Sequence, residues 1–155
     1  MSFSAISVRF ARVFSKLGME ITSSNLDVLT EATLGYPYLL QLIGFYLLEY
    51  TGSSKTISRE HIEKAINSAK RDMVENIYYP VLKPLSTRDR QFLEAMAKDR
   101  GASRTADIKD RMRTSNAVAQ AYRKRLIDAG IVAPERRGEL VFTVPFIAEY
   151  LRGEL

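Results

Sequence analysis

The sequence predicts a mainly α-helical protein of two modules: a helical bundle over residues 1–82 and a winged helix-turn-helix over residues 83–155. In the first module, apolar residues recur at helical spacing. In the second, three predicted helices within residues 86–129 lead into a two-stranded hairpin. A pair of arginines, Arg136 and Arg137, lies at the tip of that hairpin. This order of elements is the layout of a winged helix.

Composition places the chain among globular proteins that can build a core. Its 155 residues are 46% hydrophobic and 26% charged. The absence of cysteine excludes disulfides and thiolate metal sites, and it favours a reducing, cytoplasmic location. The apolar run over residues 36–50 is interrupted and too short to span a bilayer, so no membrane partner is expected. No secretory signal is visible, because basic residues break up the early apolar stretch.

The net charge of +5 is concentrated in the second module. Residues 1–82 contain eight basic and eight acidic side chains, so the whole surplus falls in residues 83–155. Within residues 100–137, ten Lys or Arg side chains stand against four acidic ones. A basic field on one module favours a polyanionic partner such as duplex DNA. The alternative is a set of solvated helix faces with no partner.

Four helices are predicted in the first module. The first runs from about residue 5 to 17 with one apolar stripe, and the second runs from a Ser24 cap to about Thr33. Pro37 fits the first turn of the third helix, where its missing N–H costs nothing. That third helix is apolar nearly all round and is therefore predicted to be the buried centre.

The fourth helix is predicted from a Ser58 cap to about Tyr78, and the domain boundary near residues 79–85. Pro80 and Pro84 punctuate that connection. Ser86 with Asp89 then forms a capping box for the first helix of the winged module.

The winged module is predicted to contain helices over residues 86–98, 104–112 and 115–129 and strands over residues 130–134 and 139–144. In the last helix, Val118, Tyr122 and Leu126 are expected to face the core, which turns Ala119 outward. The second helix of a helix-turn-helix lies in the major groove, where Asn and Gln pair with adenine and Arg with guanine. Arginines at a wing tip suit phosphates or a narrow minor groove. The predicted DNA-binding residues are therefore Ser115, Asn116, Gln120, Arg123, Lys124, Arg136 and Arg137.

Two other functions fit the same module. A winged helix can dock a protein, and weak DNA binding with little salt dependence would favour that role. The chain can also be a free-standing transcription regulator, which a two-fold dimer and a palindromic site would favour.

Three segments resemble a known family. Residues 34–44 (LGYPYLLQLIG) resemble the lid of AAA+-type ATPases, above all bacterial relatives of the archaeal ATPases and replication initiators, in which a Gly-x-Pro turn opens a lid helix. Residues 85–93 (LSTRDRQFL) and 138–145 (GELVFTVP) are similar to the start and wing of the winged helix that often follows that lid.

The resemblance implies that the chain is the C-terminal lid and winged helix of a larger ATPase, whose nucleotide-binding core would lie N-terminal to it. ATP and magnesium are implied for that parent protein, and so is a homo-oligomer. Many such lids carry a sensor arginine near the start of this helix, where this chain has Tyr36 and Tyr38. We expect these tyrosines to be packing residues rather than nucleotide contacts.

The residues themselves predict no catalytic, cofactor or metal site. A phosphate-binding loop needs Gly-x-x-x-x-Gly-Lys-Ser/Thr between a strand and a helix, and residues 52–56 (GSSKT) lack both the second glycine and the strand. His61 is the single histidine, which makes a transition-metal site improbable. We therefore expect no enzymatic activity from this chain by itself.

Overall fold

The computed structural model describes residues 1–155, which form two compact units, Met1–Asp72 and Met73–Leu155. Both are mainly helical, and the second contains one three-stranded antiparallel sheet. The predicted fold class is therefore confirmed. No helix combines the length and apolar character that crossing a membrane requires.

The division between the units falls between residues 72 and 73, whereas the sequence predicts it between residues 82 and 83. Residues 79–82, which the sequence places in the connection, are helical: a π-helical turn, Val74–Tyr78, leads into a short helix, Tyr79–Leu82. The N–H of Tyr79 bonds the carbonyl of Val74, five residues back. A π-turn just before Pro80 fits the proline's lack of an N–H for the helical ladder. Tyr78 packs in the second unit, where its hydroxyl donates to the Pro145 carbonyl at 2.5 Å.

The helical unit contains four helices: α1 (Phe3–Lys16), α2 (Ser23–Ala32), α3 (Pro37–Thr51) and α4 (Arg59–Met73, whose last residue falls in the second unit). The second helix begins at a Thr22 cap, which accepts the Asn25 N–H, rather than at the predicted Ser24. Residues 22–24 are all good capping types, so residue preference alone does not choose among them. Ser58 does cap α4, accepting the His61 N–H at 3.2 Å.

Helix α3 is buried on one face only, contrary to the prediction from its apolar sequence. Leu39, Ile43 and Leu47 are fully buried, but Phe45 is 63% exposed and Tyr38 is 47% exposed. Four helices provide enough neighbours to cover one face of α3 and not the other. The expectation that Tyr36 and Tyr38 are packing residues is not met within this unit, because both side chains are exposed.

The winged unit continues with α5 (Tyr79–Leu82), α6 (Thr87–Ala97), β1 (Ser103–Arg104) and α7 (Thr105–Met112). Helix α8 (Asn116–Asp128), strands β2 (Val132–Pro134) and β3 (Glu139–Phe142), and helix α9 (Ile147–Leu151) follow. Strand β3 lies between the other two, pairing Ser103 with Leu140 and Ala133 with Val141. The predicted capping box of Ser86 and Asp89 is present at the start of α6.

Besides α5, this unit contains two elements that the sequence does not predict, β1 and α9. Strand β1 has only two residues, too few to show an alternating pattern, and it exists because it pairs with the edge of β3. Helix α9 has five residues and follows Phe146, whose left-handed φ of 59° turns the chain into the helix. The two hairpin strands are also shorter than predicted, at three and four residues.

Candidate nucleic-acid interface

A polar cleft of about 300 Å³ lies among the start of α7, the start of α8 and the hairpin tip, within the winged unit. We call it the basic cleft. Its lining consists of Arg104, Thr105, Ala106, Lys109, Asn116, Gln120, Arg137 and Gly138. Three parts of the chain that are separated in sequence therefore form one concave surface. This surface contains three cationic side chains and no acidic one.

Thr105 ties the hairpin tip to the first turn of α7. Its backbone N–H and its hydroxyl both donate to the carbonyl of Gly138, at 2.8 and 3.1 Å. Gly138 has a φ of +79°, a left-handed conformation in which a side chain would be strained. The antiparallel pairing of Arg104 with Glu139 holds the same two segments together. The wing is therefore fixed against α7 rather than hanging free.

The cationic side chains of the basic cleft differ in how far they are already paired. Arg104 and Arg137 are exposed and have no ion-pair partner. Lys109 is half-buried, and its Nζ lies 3.0 Å from a carboxylate oxygen of Asp110. An exposed pair of this kind contributes little, so Lys109 remains available to an incoming anion.

The orientation of α8 differs from the sequence prediction by about one residue. Ala119 and Leu126 are buried, whereas Val118 is 39% exposed and Tyr122 is only partly covered. The prediction that Ala119 faces outward and Val118 inward is therefore wrong. The helix has few large apolar residues in its first two turns, so the sequence pattern defines its inner face poorly.

Three of the seven predicted DNA-binding residues line the basic cleft: Asn116, Gln120 and Arg137. Asn116 and Gln120 lie one helical turn apart on α8, and both are exposed. They form one wall, and Arg137 belongs to the opposite side at the hairpin tip.

The other four predicted residues lie outside the basic cleft. The Ser115 hydroxyl caps α8 by accepting the Val118 N–H at 3.3 Å. Lys124 pairs with Asp128 at 2.8 Å, Arg123 is half-buried, and Arg136 is exposed in the hairpin turn. Arg136 keeps a place near the tip, where its carbonyl accepts the Glu139 N–H.

The cleft also has three polar side chains that the sequence analysis did not predict as part of the site: Arg104, Thr105 and Lys109. Arg104 and Lys109 belong to the basic run that the reading singled out, so a charge signal was present. Their position opposite the wing depends on the pairing of β1 with β3, between residues far apart in sequence. No local pattern encodes that pairing.

A buried carboxylate fixes α8 against α6. The side chain of Asp89 is 2% exposed and accepts hydrogen bonds through one oxygen from the Ser86 backbone, the Ser86 hydroxyl and Arg125. Arg125 comes from the middle of α8, and the ring of Tyr122 lies 5.5 Å from its guanidinium carbon. Arg125 therefore holds α8 against α6 through its ion pair, rather than belonging to a set of unpaired basic side chains.

A second ion pair holds the end of α6 to α7. Two nitrogens of Arg111 donate to the two carboxylate oxygens of Asp99, each at 2.7 Å. The Arg111 hydrogen bond holds the pKa of Asp99 below its usual value, against the opposing effect of burial. The same bond raises the pKa of Arg111, so the pair stays ionised at neutral pH.

No group of three or more His, Cys, Asp or Glu side chains is placed so that it could hold a metal ion. The loop over residues 52–56 lies beside the chain after α1, where the Glu20 N–H donates to the Lys55 carbonyl at 2.6 Å. His61 Nδ1 accepts the Ser58 N–H at the start of α4, so the imidazole has a local structural role.

Two comparisons with known proteins find a match, one over the winged unit and one over nearly the whole chain. A family model described as "Domain of unknown function (DUF8462)" matches residues 75–151, just under half of the chain. No curated protein sequence matches. Among solved structures, a threonine-to-valine variant of RuvB from Thermotoga maritima matches with a TM-score of 0.43 and 17% identity over 99% of this chain and 50% of that one.

The chain thus spans about half the length of that RuvB variant. A likeness at this level does not establish a shared fold or function. The assignment of a winged helix therefore rests on the order of α6, β1, α7, α8 and the β2–β3 hairpin itself.

Proposed function

We propose that the winged unit binds duplex DNA, with the start of α8 in the major groove and the wing on the phosphate backbone or in the minor groove. The observation that carries this proposal is the basic cleft, in which Arg104, Lys109 and Arg137 stand beside Asn116 and Gln120. Cations provide the sequence-independent attraction to phosphates, and the amides can read base edges.

The charge distribution supports the same conclusion. The surplus of positive charge falls in residues 83–155, so the field is strongest on the unit that contains the cleft. Lys124 and Arg125 contribute less than their sequence suggests, because Asp128 and Asp89 offset their charges. The binding surface is therefore centred on the cleft rather than on the 123–125 run.

A titration of the chain with fluorescently labelled duplex DNA at several salt concentrations tests the proposal. Each phosphate contact contributes a slope of about −0.9 in log K against log salt, so a clear negative slope is expected. The variant Arg136→Ala/Arg137→Ala should bind more weakly with a shallower slope. Its matched control is Arg88→Ala/Lys98→Ala, which removes the same charge from a separate depression on α6. Absence of binding at low salt, or equal losses in both variants, would contradict the proposed surface.

Docking of a protein is the second candidate function, and one observation favours it. Val118 is 39% exposed on α8 next to the polar residues of the cleft, and a protein partner would remove its apolar surface from water. DNA binding with no salt slope would make this the leading account. The variant Val118→Ala would then be expected to weaken association with the partner and leave DNA binding unchanged.

We also propose that the chain is the lid and winged-helix region of an AAA+-type ATPase, with ATP and magnesium bound by a core outside it. The support is the resemblance of residues 34–44 together with the order of a helical unit followed by a winged unit. Gly35 has a φ of +77° and Pro37 opens α3, as the Gly-x-Pro turn requires. The chain alone is then expected to release no phosphate from ATP in a hydrolysis assay, and measurable turnover would contradict this assignment.

A further inference from the structure

We infer that the basic cleft seats a single sugar–phosphate unit, whose one phosphate is shared by Arg104, Lys109 and Arg137. This inference rests on the proposed DNA binding and adds the number of phosphates that these three side chains contact. At any other point where DNA contacts the chain, each cation would face its own phosphate. In the cleft, three cations would bind the same phosphate.

The shape of the cleft supports a single seat. Arg104 ends β1, Lys109 lies in the second turn of α7 and Arg137 lies at the hairpin tip, yet all three line one cavity of about 300 Å³. Sites for small ligands begin at about that volume, so the cavity has room for one sugar–phosphate unit and not for a run of them. Cations around a small concavity meet the same anion, whereas cations along a flat surface meet successive phosphates.

The charges around the cavity also favour the binding of an anion. Arg104 and Arg137 have no carboxylate partner, and Lys109 has only Asp110 beside it. Three like charges that line one cavity repel each other, and a bound phosphate would turn that repulsion into attraction. Asn116 and Gln120 on the wall formed by α8 carry no charge, so they do not offset the three cations.

This phosphate-binding site is formed before the ligand binds. The two hydrogen bonds from Thr105 to the Gly138 carbonyl fix the residue that follows Arg137 against the first turn of α7. A preformed site loses less conformational freedom on binding than one that has to be assembled. Thr105 is thus a positioning residue, and it need not touch the phosphate itself.

The salt dependence of DNA binding distinguishes one shared phosphate from three separate ones. The probe is a labelled duplex, and the variant is Arg104→Ala/Lys109→Ala/Arg137→Ala. A shared phosphate predicts that the slope of log K against log salt becomes shallower by about 0.9 in total, since one phosphate contact is lost. Three separate contacts would make it shallower by about 2.7. Each single arginine variant should bind more weakly with almost no change in slope.

The matched control is Arg88→Ala/Lys98→Ala/Arg100→Ala, which removes three cations of the same unit that do not line the cleft. We expect it to leave the slope nearly unchanged. A change as large as that of the cleft variant would overturn the inference, because the slope would then report net charge alone. Circular dichroism spectra of both variants establish that each remains folded.

A second arm separates the nucleic-acid backbone from a free nucleotide. Adenosine monophosphate is titrated into the labelled chain while amide NMR signals of Thr105 and Gln120 are followed. If the parent binds DNA but the cleft variant loses a slope of about 2.7, the proposed function stands and the single seat is overturned. If DNA does not bind while the nucleotide shifts these signals, the DNA-binding function fails and the seat serves a free nucleotide. If neither ligand affects the cleft, both proposals are overturned.

Discussion

The two units of the chain contain cavities of opposite chemical character, one apolar and one cationic. In the helical unit, a cavity of about 270 Å³ is lined mainly by apolar side chains of α1 and α3, among them Phe10, Val13, Phe45 and Leu48. In the winged unit, a cavity of similar size is lined by three cations and two amides. Similar concave volumes therefore carry different chemistry, so volume alone does not indicate what a surface binds.

The two units also differ in how their charges are used. The cations of α1, such as Arg9 and Arg12, lie on a unit whose acidic residues almost balance its basic ones. In the winged unit some cations are fixed by buried or half-buried acids, as Arg125 and Arg111 are. Others, such as Arg104 and Arg137, remain unpaired in the cleft. The unpaired cations, rather than the total charge, define the candidate interface.

The largest expected effects come from truncating one buried leucine in the core of each unit. They test whether only the winged unit is needed for DNA binding. Leu47 of α3 and Leu93 of α6 are both fully buried, and truncation of a buried leucine to alanine costs about 2–5 kcal/mol. Leu93→Ala should lower the free energy of unfolding and also weaken DNA binding at temperatures near the transition. Leu47→Ala should cost a similar free energy, but its DNA affinity measured at the same temperature should stay unchanged.

Urea denaturation followed by circular dichroism measures the stability of both leucine variants, and fluorescence anisotropy measures their DNA affinity. An equal loss of affinity in Leu47→Ala and Leu93→Ala would show that the helical unit shares in DNA binding. The comparison between an apolar unit and a binding unit would then be wrong.

A smaller effect is expected from the ion pair that supports α8. Arg125→Ala leaves the buried Asp89 carboxylate without its cation, so we expect the free energy of unfolding to fall by about 1–3 kcal/mol. Lys124→Ala is the matched control on the neighbouring residue. It breaks an exposed pair with Asp128 and should cost clearly less than Arg125→Ala does. Equal losses in urea denaturation would contradict a structural role for Arg125.

The pair of Asp99 and Arg111 is expected to give an acid dependence of about 1 kcal/mol. Because the folded-state pKa of Asp99 lies below its ordinary value of 3.8, its stabilisation is present above that value and is lost as the pH falls through the lower, folded-state pKa. Arg111→Met should remove this part of the acid dependence. Urea midpoints measured from about pH 5 down to pH 2 test it. An unchanged pH profile in the variant would mean that other carboxylates account for the loss.

The contrast between local and distant contacts explains what the sequence could predict. The capping box of Ser86 and Asp89 could be predicted, because both partners lie within one helical turn and have characteristic residue types. The hairpin could be predicted from its turn and its β-branched residues. The basic cleft could be predicted only in part, since Arg104 reaches it through the pairing of β1 with β3.

The exposed face of α3 could not be predicted for a related reason. An apolar sequence indicates that a surface can be buried, but the number of neighbouring helices decides how much of it is buried. Phe45 and Leu39 look alike in the sequence, yet one is exposed and the other fully buried. The rotation of α8 about its own axis has the same cause. Contacts with other elements of the core place Ala119, rather than Val118, on the inward face.

The smallest expected effect separates unpaired charge in a cleft from charge on an open helix face. Arg9→Ala/Arg12→Ala removes two exposed cations of α1 in the helical unit, the same charge as Arg136→Ala/Arg137→Ala removes from the wing. We expect the α1 variant to change DNA affinity by less than about twofold, which corresponds to about 0.4 kcal/mol. Its salt slope should stay that of the parent, because no phosphate contact is lost. If the slope instead became as shallow as in the wing variant, DNA would follow total charge across both units, and the basic cleft would not be the feature that selects the binding surface.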